Sequence, residues 1–146
     1  MMPKQPSEVV VDAWIALNRT QQTAVLRIER ALRDAGLPPY GWYDALWELD
    51  KAGAGGLRPV EIERRRLTAQ SNISRLIDRL AERGYAERVP CEDDGRGQRV
   101  VITPAGRELR KRMWPVYAQV LGEVIGRRLS EREAATLASL LQKLLD

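Results

Sequence analysis

The residues of this chain best suited to touching another molecule lie between Leu57 and Thr103. Ile73, Leu76, Ile77 and Leu80 recur at helical spacing, so a helix from Ser71 to Arg83 has one apolar face to bury against its neighbours. The other face is left to Gln70, Asn72, Ser74, Arg75 and Arg79. Side chains of these types recognise nucleotide bases and phosphate: Arg pairs with guanine, Asn and Gln with adenine, and Ser with base edges or backbone. Gly84 follows as the helix stop, since it tolerates the left-handed conformation that ends helices. A shorter helix, Pro59 to Arg66, comes first; Pro59 suits its first turn, where a missing N–H costs nothing. Val60, Ile62 and Leu67 would face inward, and Arg64 and Arg65 would end that helix as cations toward a phosphate backbone.

Behind the two helices come two β-prone runs, Tyr85 to Val89 and Gln98 to Ile102, in which Val100 and Ile102 alternate with Arg99 and Val101. Pro90, Gly95 and Gly97 punctuate the connection, so it reads as a turn projecting from a hairpin. Within it Asp94 stands two residues before Arg96. A carboxylate at that distance can hold the guanidinium in one orientation and lower the entropy lost on entering a minor groove. Thr103-Pro104 reads as a cap and first-turn proline opening the next helix. Taken singly, the helices are equally well two amphipathic helices with solvated charge, and the Asp-x-Arg pair an ordinary acidic turn. Helix, helix and ribbon in this order favour a winged helix-turn-helix.

The run Arg75-Leu-Ile-Asp-Arg-Leu-Ala-Glu-Arg-Gly-Tyr85, followed by Asp94-Gly-Arg96 and Val101-Ile-Thr-Pro-Ala-Gly106, resembles the MarR family of bacterial transcriptional regulators. The resemblance spans the chain in element order and is most specific in its middle third. It implies a mainly α fold with a small β-hairpin wing. Residues 1–146 form one domain, 40–103 the winged helix-turn-helix, and 7–36 and 104–146 the dimerisation helices. It also implies a homodimer on a pseudo-palindromic operator in double-stranded DNA, acting as a repressor released by a small-molecule effector. Carried over by position, the major-groove readers are Gln70, Ser71, Asn72, Ser74 and Arg75, with Asp94 and Arg96 as the wing pair. Three positions depart from the family pattern: Ala69 for a capping Ser or Thr, Glu63 for a small apolar residue, and Arg66 for Leu. Thr68 is then the expected cap.

The terminal segments read as helices for pairing. Glu8 to Asp34 holds no Pro or Gly, and Val11, Trp14, Ile15, Val25, Ile28 and Leu32 form an interrupted apolar stripe. Tyr40 to Lys51 presents Trp42, Tyr43, Leu46, Trp47 and Leu49 before the Gly53–Gly56 break. The penultimate helix starts at Pro104, carries Met113, Val116, Val120, Val124 and Ile125, and contains Pro115, a source of bending. Ser130 and Glu133 form a capping box for the last helix, which Leu137, Leu140, Leu141, Leu144 and Leu145 make broadly apolar. Such faces favour a dimer.

At 146 residues and 44% apolar content, one domain with a real core is the natural size class. The net charge is +4, with 24 basic residues, of which four are Lys and twenty Arg, so polyanions are natural partners. Residues 104–128 hold six basic and two acidic groups, whereas residues 1–57 hold six and seven. The four tryptophans lie outside the reading segment. Trp14, Trp42, Trp47 and Trp114 fit either a cavity for a small aromatic or phenolic effector, with Arg19 or Arg110 as counter-charge, or the packing of the dimer core. Cys91 is a poor redox sensor, because Glu92, Asp93 and Asp94 raise its pKa and no second cysteine resolves a sulfenic acid. With no histidine and one cysteine, neither a metal nor a cofactor is implied, and no catalytic constellation is present. The Gly53–Gly56 run lacks the Lys-Ser/Thr of a nucleotide loop. Asp12 interrupts the only early apolar run, so no membrane partner is expected and the cytoplasm is the expected compartment. A winged-helix protein-docking module is the alternative to a DNA reader.

Overall fold

The computed structural model describes residues 2–68, 72–90 and 97–146. α1 (Glu8–Asp34) opens on Ser7, whose side chain accepts the Val10 N–H at 3.4 Å. It closes at Gly36, which takes φ 71° while the Leu37 N–H returns to the Leu32 carbonyl at 2.9 Å. α2 (Tyr40–Ala52) follows and runs out in a single 3₁₀ turn at Gly53–Gly55. Tyr40, Trp42, Tyr43, Ala45, Leu46 and Leu49 of α2 are all buried. A helix covered on so many sides is a central one. Around it pack Ile28 and Leu32 of α1, Ile62, Leu76, Ile77 and Leu80, and the penultimate helix in one continuous core.

α3 (Pro59–Arg65) carries Pro59 in its first turn, and its N-terminus is closed by Glu61, whose Oε1 accepts the Arg58 N–H at 3.0 Å. Only Ile62 of its expected inward residues is buried. Val60 is 52% exposed and Leu67 is 72% exposed, contrary to the inward placement predicted for both. Two helical turns offer room for one fully inward position, and Leu67 lies beyond the helix end in the link to the next one. α4 is Ile73–Glu82, shorter at both ends than the predicted Ser71 to Arg83. Gly84, at φ 78°, ends it as expected.

β1 (Ala86–Pro90) and β2 (Gln98–Ile102) pair antiparallel, with Ala86 opposite Ile102 and Pro90 opposite Gln98. Tyr85 stays just outside the strand. Val100 and Ile102 point into the core, as their alternation requires. Leu57 adds a third, one-residue rung: its N–H and carbonyl exchange bonds with Val100 at 3.0 and 2.7 Å. The ribbon is thereby stitched to the chain entering α3.

α5 (Pro104–Leu121) starts on Thr103, whose hydroxyl accepts the Gly106 N–H at 3.0 Å and donates to the Gly84 carbonyl at 2.6 Å. Leu109, Met113 and Val120 are its buried face, and Pro115 lies within it. The helix then widens to a π turn at Gly122–Gly126, where Glu123 pairs with Arg27 of α1. α6 (Glu131–Leu145) carries the expected capping box, with the Ser130 hydroxyl accepting the Glu133 N–H at 3.1 Å and the Glu133 carboxylate accepting the Ser130 N–H at 2.9 Å. In the single chain α6 has no buried residue. Leu140, Leu144 and Leu145 lie open on it, as do Val9, Val10 and Trp14 near the start of α1.

Gly106 explains the Thr-Pro-Ala-Gly run. A Cβ there would stand 2.1 Å from the Tyr85 carbonyl oxygen and 2.9 Å from Ile102. The obstructing atom is backbone, so it cannot rotate away. Gly106→Ala should therefore destabilise the fold by about 1–3 kcal/mol, the usual range for forced overpacking. Thermal unfolding checks this: a fall in Tm of several degrees is expected, and an unchanged Tm would mean that α5 seats elsewhere.

Candidate nucleic-acid interface

α4 buries Leu76, Ile77 and Leu80, and this turns Ser74, Arg75, Asp78 and Arg79 outward to solvent. Its start is held by Asn72, whose Oδ1 accepts the Ser74 N–H at 2.9 Å and the Arg75 N–H at 3.3 Å. The sequence puts this cap at Thr68; the structure puts it at Asn72, because Thr68 lies four residues upstream and is bonded elsewhere. The change alters the chemistry of Asn72. Bidentate pairing with adenine needs both the oxygen and the nitrogen of the side-chain amide, and here the oxygen serves the helix. Asn72 aims the helix, leaving Arg75, Arg79 and Ser74 to meet whatever approaches from solvent. Asp78 is tied to Arg88 of β1 at 2.5 Å, which fixes α4 to the hairpin.

Arg64 and Arg65 end α3 and are exposed, with Arg65 at 3.9 Å from Glu61 on the preceding turn. Arg66 behaves differently. Its side chain is only 6% exposed and lies 2.9 Å from Glu63. Two of the departures from the family pattern thus answer each other, the carboxylate of one neutralising the guanidinium of the other. Ala69, Gln70 and Ser71, together with Cys91, Asp94 and Arg96, lie outside the described residues.

The sequence offers no sign of what fixes the link between α3 and α4 until Asp44 is noticed as a lone carboxylate amid Trp42, Tyr43, Ala45 and Leu46. Asp44 is 3% exposed. Its Oδ2 accepts the Leu67 N–H at 2.5 Å, the Thr68 N–H at 3.0 Å and the Thr68 hydroxyl at 3.5 Å. Burial pushes its carboxyl pKa up, and the bonds from Thr68 and Leu67 offset only part of that rise. α2, the best-packed helix, thereby holds the segment that leads into α4.

Beside Asp44 the aromatic residues gather. Tyr43, Trp47, Trp114, Tyr117, Asp44 and Arg110, with Tyr40, Leu67 and Leu121, border a partly open cavity of about 440 Å³. Tyr43 stacks near Trp114 and Trp47 at centroid distances of 6.2 and 6.4 Å, and the Tyr40 and Tyr117 hydroxyls meet at 2.8 Å. Burial and that contact push Tyr40 well above the ordinary tyrosine range. Arg110 Nε donates to Asp50 at 2.6 Å while its guanidinium lies 5.2 Å from the Trp47 ring centroid. Of the six residues proposed for an effector site, the structure therefore gathers Trp47, Trp114 and Arg110. Trp14 is 64% exposed on α1, Arg19 is exposed on the same helix, and Trp42 packs edge-on to Tyr85 at 6.2 Å, away from the cavity. The tyrosines escape a sequence reading because their spacing is also that of plain core residues. Among the described residues, no cluster of His, Cys, Asp and Glu is placed to hold a metal ion, and no helix is long and apolar enough to cross a membrane.

Comparison with known proteins agrees with this geometry. A family model described as MarR family matches residues 35–97. The multiple antibiotic resistance protein MarR of Salmonella typhimurium is 34% identical over 92 residues, covering 63% of this chain and 64% of that protein; the match thus spans somewhat less than two thirds of the relative's length. The crystal structure of Sco3205, a MarR family transcriptional regulator from Streptomyces coelicolor, in complex with DNA, superposes with a TM-score of 0.85 at 23% identity, covering 99% of this chain and 90% of that one. BpsR of Bordetella bronchiseptica, whose DNA binding is regulated by 6-hydroxynicotinic acid, superposes with a TM-score of 0.78 at 26% identity over 99% of both chains. With its helices and ribbon superposing on these proteins, the chain has their winged-helix fold, and its residues 35–97 are similar to the MarR family.

Proposed function

We propose that this chain is a sequence-specific DNA-binding transcriptional regulator of the cytoplasm, a homodimeric repressor on a pseudo-palindromic operator, released by a small-molecule effector. MarR family members are transcription regulators rather than enzymes. The observation that carries the reading is α4 itself. It is capped, buried along one face and braced to the hairpin, and it turns Arg75 and Arg79 outward from a rigid base. Arg75 is the residue for a base edge, and Arg64 and Arg65 are the residues for phosphate. Asp94 and Arg96, which lie outside the described residues, are the pair proposed for a minor groove. The open leucines of α6 and the valines and Trp14 of α1 support pairing of two chains, since apolar faces this long gain by mutual burial. The effector occupies the aromatic cavity beside Asp44.

Electrophoretic mobility shift against genomic fragments at several salt concentrations tests the reading. A selective, salt-sensitive shift is expected, whereas no shift at low salt would make the winged fold a protein-docking module. Arg75→Ala should cost about 1–3 kcal/mol of operator binding while barely changing affinity for scrambled duplex. Arg64→Ala and Arg65→Ala should weaken binding to all sequences alike, lowering the slope of log affinity against log salt by about 0.9 for each phosphate left unneutralised. Equal slopes for the natural chain and both variants would remove α3 from the interface.

The dimer is testable separately. Sedimentation should show a two-chain species at micromolar concentration, with recognition helices set for half-sites about 10 base pairs apart. Leu141→Asp places an unpaired charge in the apolar face of α6 and should give a monomer or unfold the chain. A natural chain that sediments as a monomer would end the two-fold operator model.

A further inference from the structure

The cavity lined by Tyr43, Trp47, Trp114 and Tyr117 has two charged side chains on its wall, and they are not equally free. Arg110 is already engaged: its Nε bonds Asp50 at 2.6 Å, and its guanidinium lies over Trp47. An anionic ligand would have to compete with that carboxylate. Asp44 is the opposite case. All its hydrogen bonds among the described residues fall on one oxygen, Oδ2, and the charge of Glu48 nearby works against its ionisation, in the same direction as burial. Oδ1 therefore keeps acceptor capacity for a further donor or a cation on the cavity side. Aromatic walls supply the rest, because ring faces attract ammonium groups.

We propose that the cavity takes a small aromatic amine in its protonated form, its ammonium group on Asp44 Oδ1 and its ring against Tyr43 and Trp114. The inference rests on the effector site proposed above and reverses the charge first expected there, a phenolic anion countered by Arg110. A volume of about 440 Å³ suits a single-ring ligand with a short side chain. The same carboxylate then faces two ways. Oδ1 meets the ligand, and Oδ2 holds the Leu67 and Thr68 amides that lead into α4. Occupancy at Oδ1 is thus felt through one side chain at Leu67 and Thr68, between α3 and α4.

The test needs no DNA, so its outcome is independent of the operator model. Tryptophan fluorescence of the full chain is titrated with 2-phenylethylamine, with 3-phenylpropanol and with 3-phenylpropionate at neutral pH. Trp47 and Trp114 report from the cavity wall. Saturable quenching by the amine at tenfold or more lower concentration than by the acid is the expected result, with the alcohol between them. Asp44→Asn keeps an acceptor for Leu67 and Thr68 but loses the charge, and it should erase the preference for the amine. Should that variant fail to fold, by circular dichroism, Arg110→Gln decides: a cation site keeps its preference for the amine, and an anion site loses its preference for the acid. Tighter binding of 3-phenylpropionate by the natural chain, or no saturable quenching by any of the three, overturns the proposal.

Discussion

One carboxylate oxygen joins the best-packed helix of this molecule to the link between α3 and α4. Asp44 Oδ2 takes two backbone N–H groups and a hydroxyl from the two residues that leave α3 for α4. Of those amides, the half-buried one of Thr68 would cost up to about 1–3 kcal/mol if left without an acceptor. The acceptor stands on α2, which the core grips from nearly every side, so the link inherits the position of the best-packed helix. The cost falls on Asp44, whose carboxyl is pushed up by burial. A buried charge kept for its hydrogen bonds is a device for fixing geometry more than for adding stability.

The remaining fixtures of α4 serve the same end. Asn72 closes its N-terminus, Gly84 its C-terminus, and Asp78 reaches across to Arg88 on the ribbon. The ribbon is itself held by Leu57 on one side and by the Thr103 hydroxyl on the Gly84 carbonyl at its base. A helix held at both ends and along its buried face would lose little freedom on binding a partner, leaving more of its interaction energy as affinity. Ion pairing is allotted in keeping with this: Arg66 is neutralised inside by Glu63, while Arg75 and Arg79 face outward.

Much of this is legible in the residues. Helical spacing at Ile73, Leu76, Ile77 and Leu80 finds α4, the Ser130 and Glu133 pair finds the start of α6, and Thr103-Pro104 finds that of α5, because each is a local rule acting over a few residues. What escapes is whatever depends on packing between distant segments. Thr68 looks like a cap until Asp44, far off in sequence, claims it. Val60 and Leu67 look like core until the brevity of α3 turns them out. The aromatic cavity is half legible: tryptophan marks it, but only the fold separates Trp47 and Trp114 from Trp14 and Trp42, and only the fold reveals Tyr43 and Tyr117 as its other wall. The π turn at Gly122–Gly126, which joins α5 to α6, follows from no spacing rule.

Asp44 holds the link from α3 toward α4, and amide hydrogen exchange at Leu67 and Thr68 tests this most directly. Leu67 is 72% exposed as a residue, so its amide has no reason to resist exchange except the carboxylate behind it. In the natural chain at neutral pH both amides are predicted to exchange far more slowly than an open backbone. In Asp44→Ala they should exchange freely while Leu46 and Leu49 of α2 stay protected, with operator selectivity lost in the same variant. Fast exchange at Leu67 and Thr68 in the natural chain, or unchanged protection in Asp44→Ala, would contradict this role for the carboxylate.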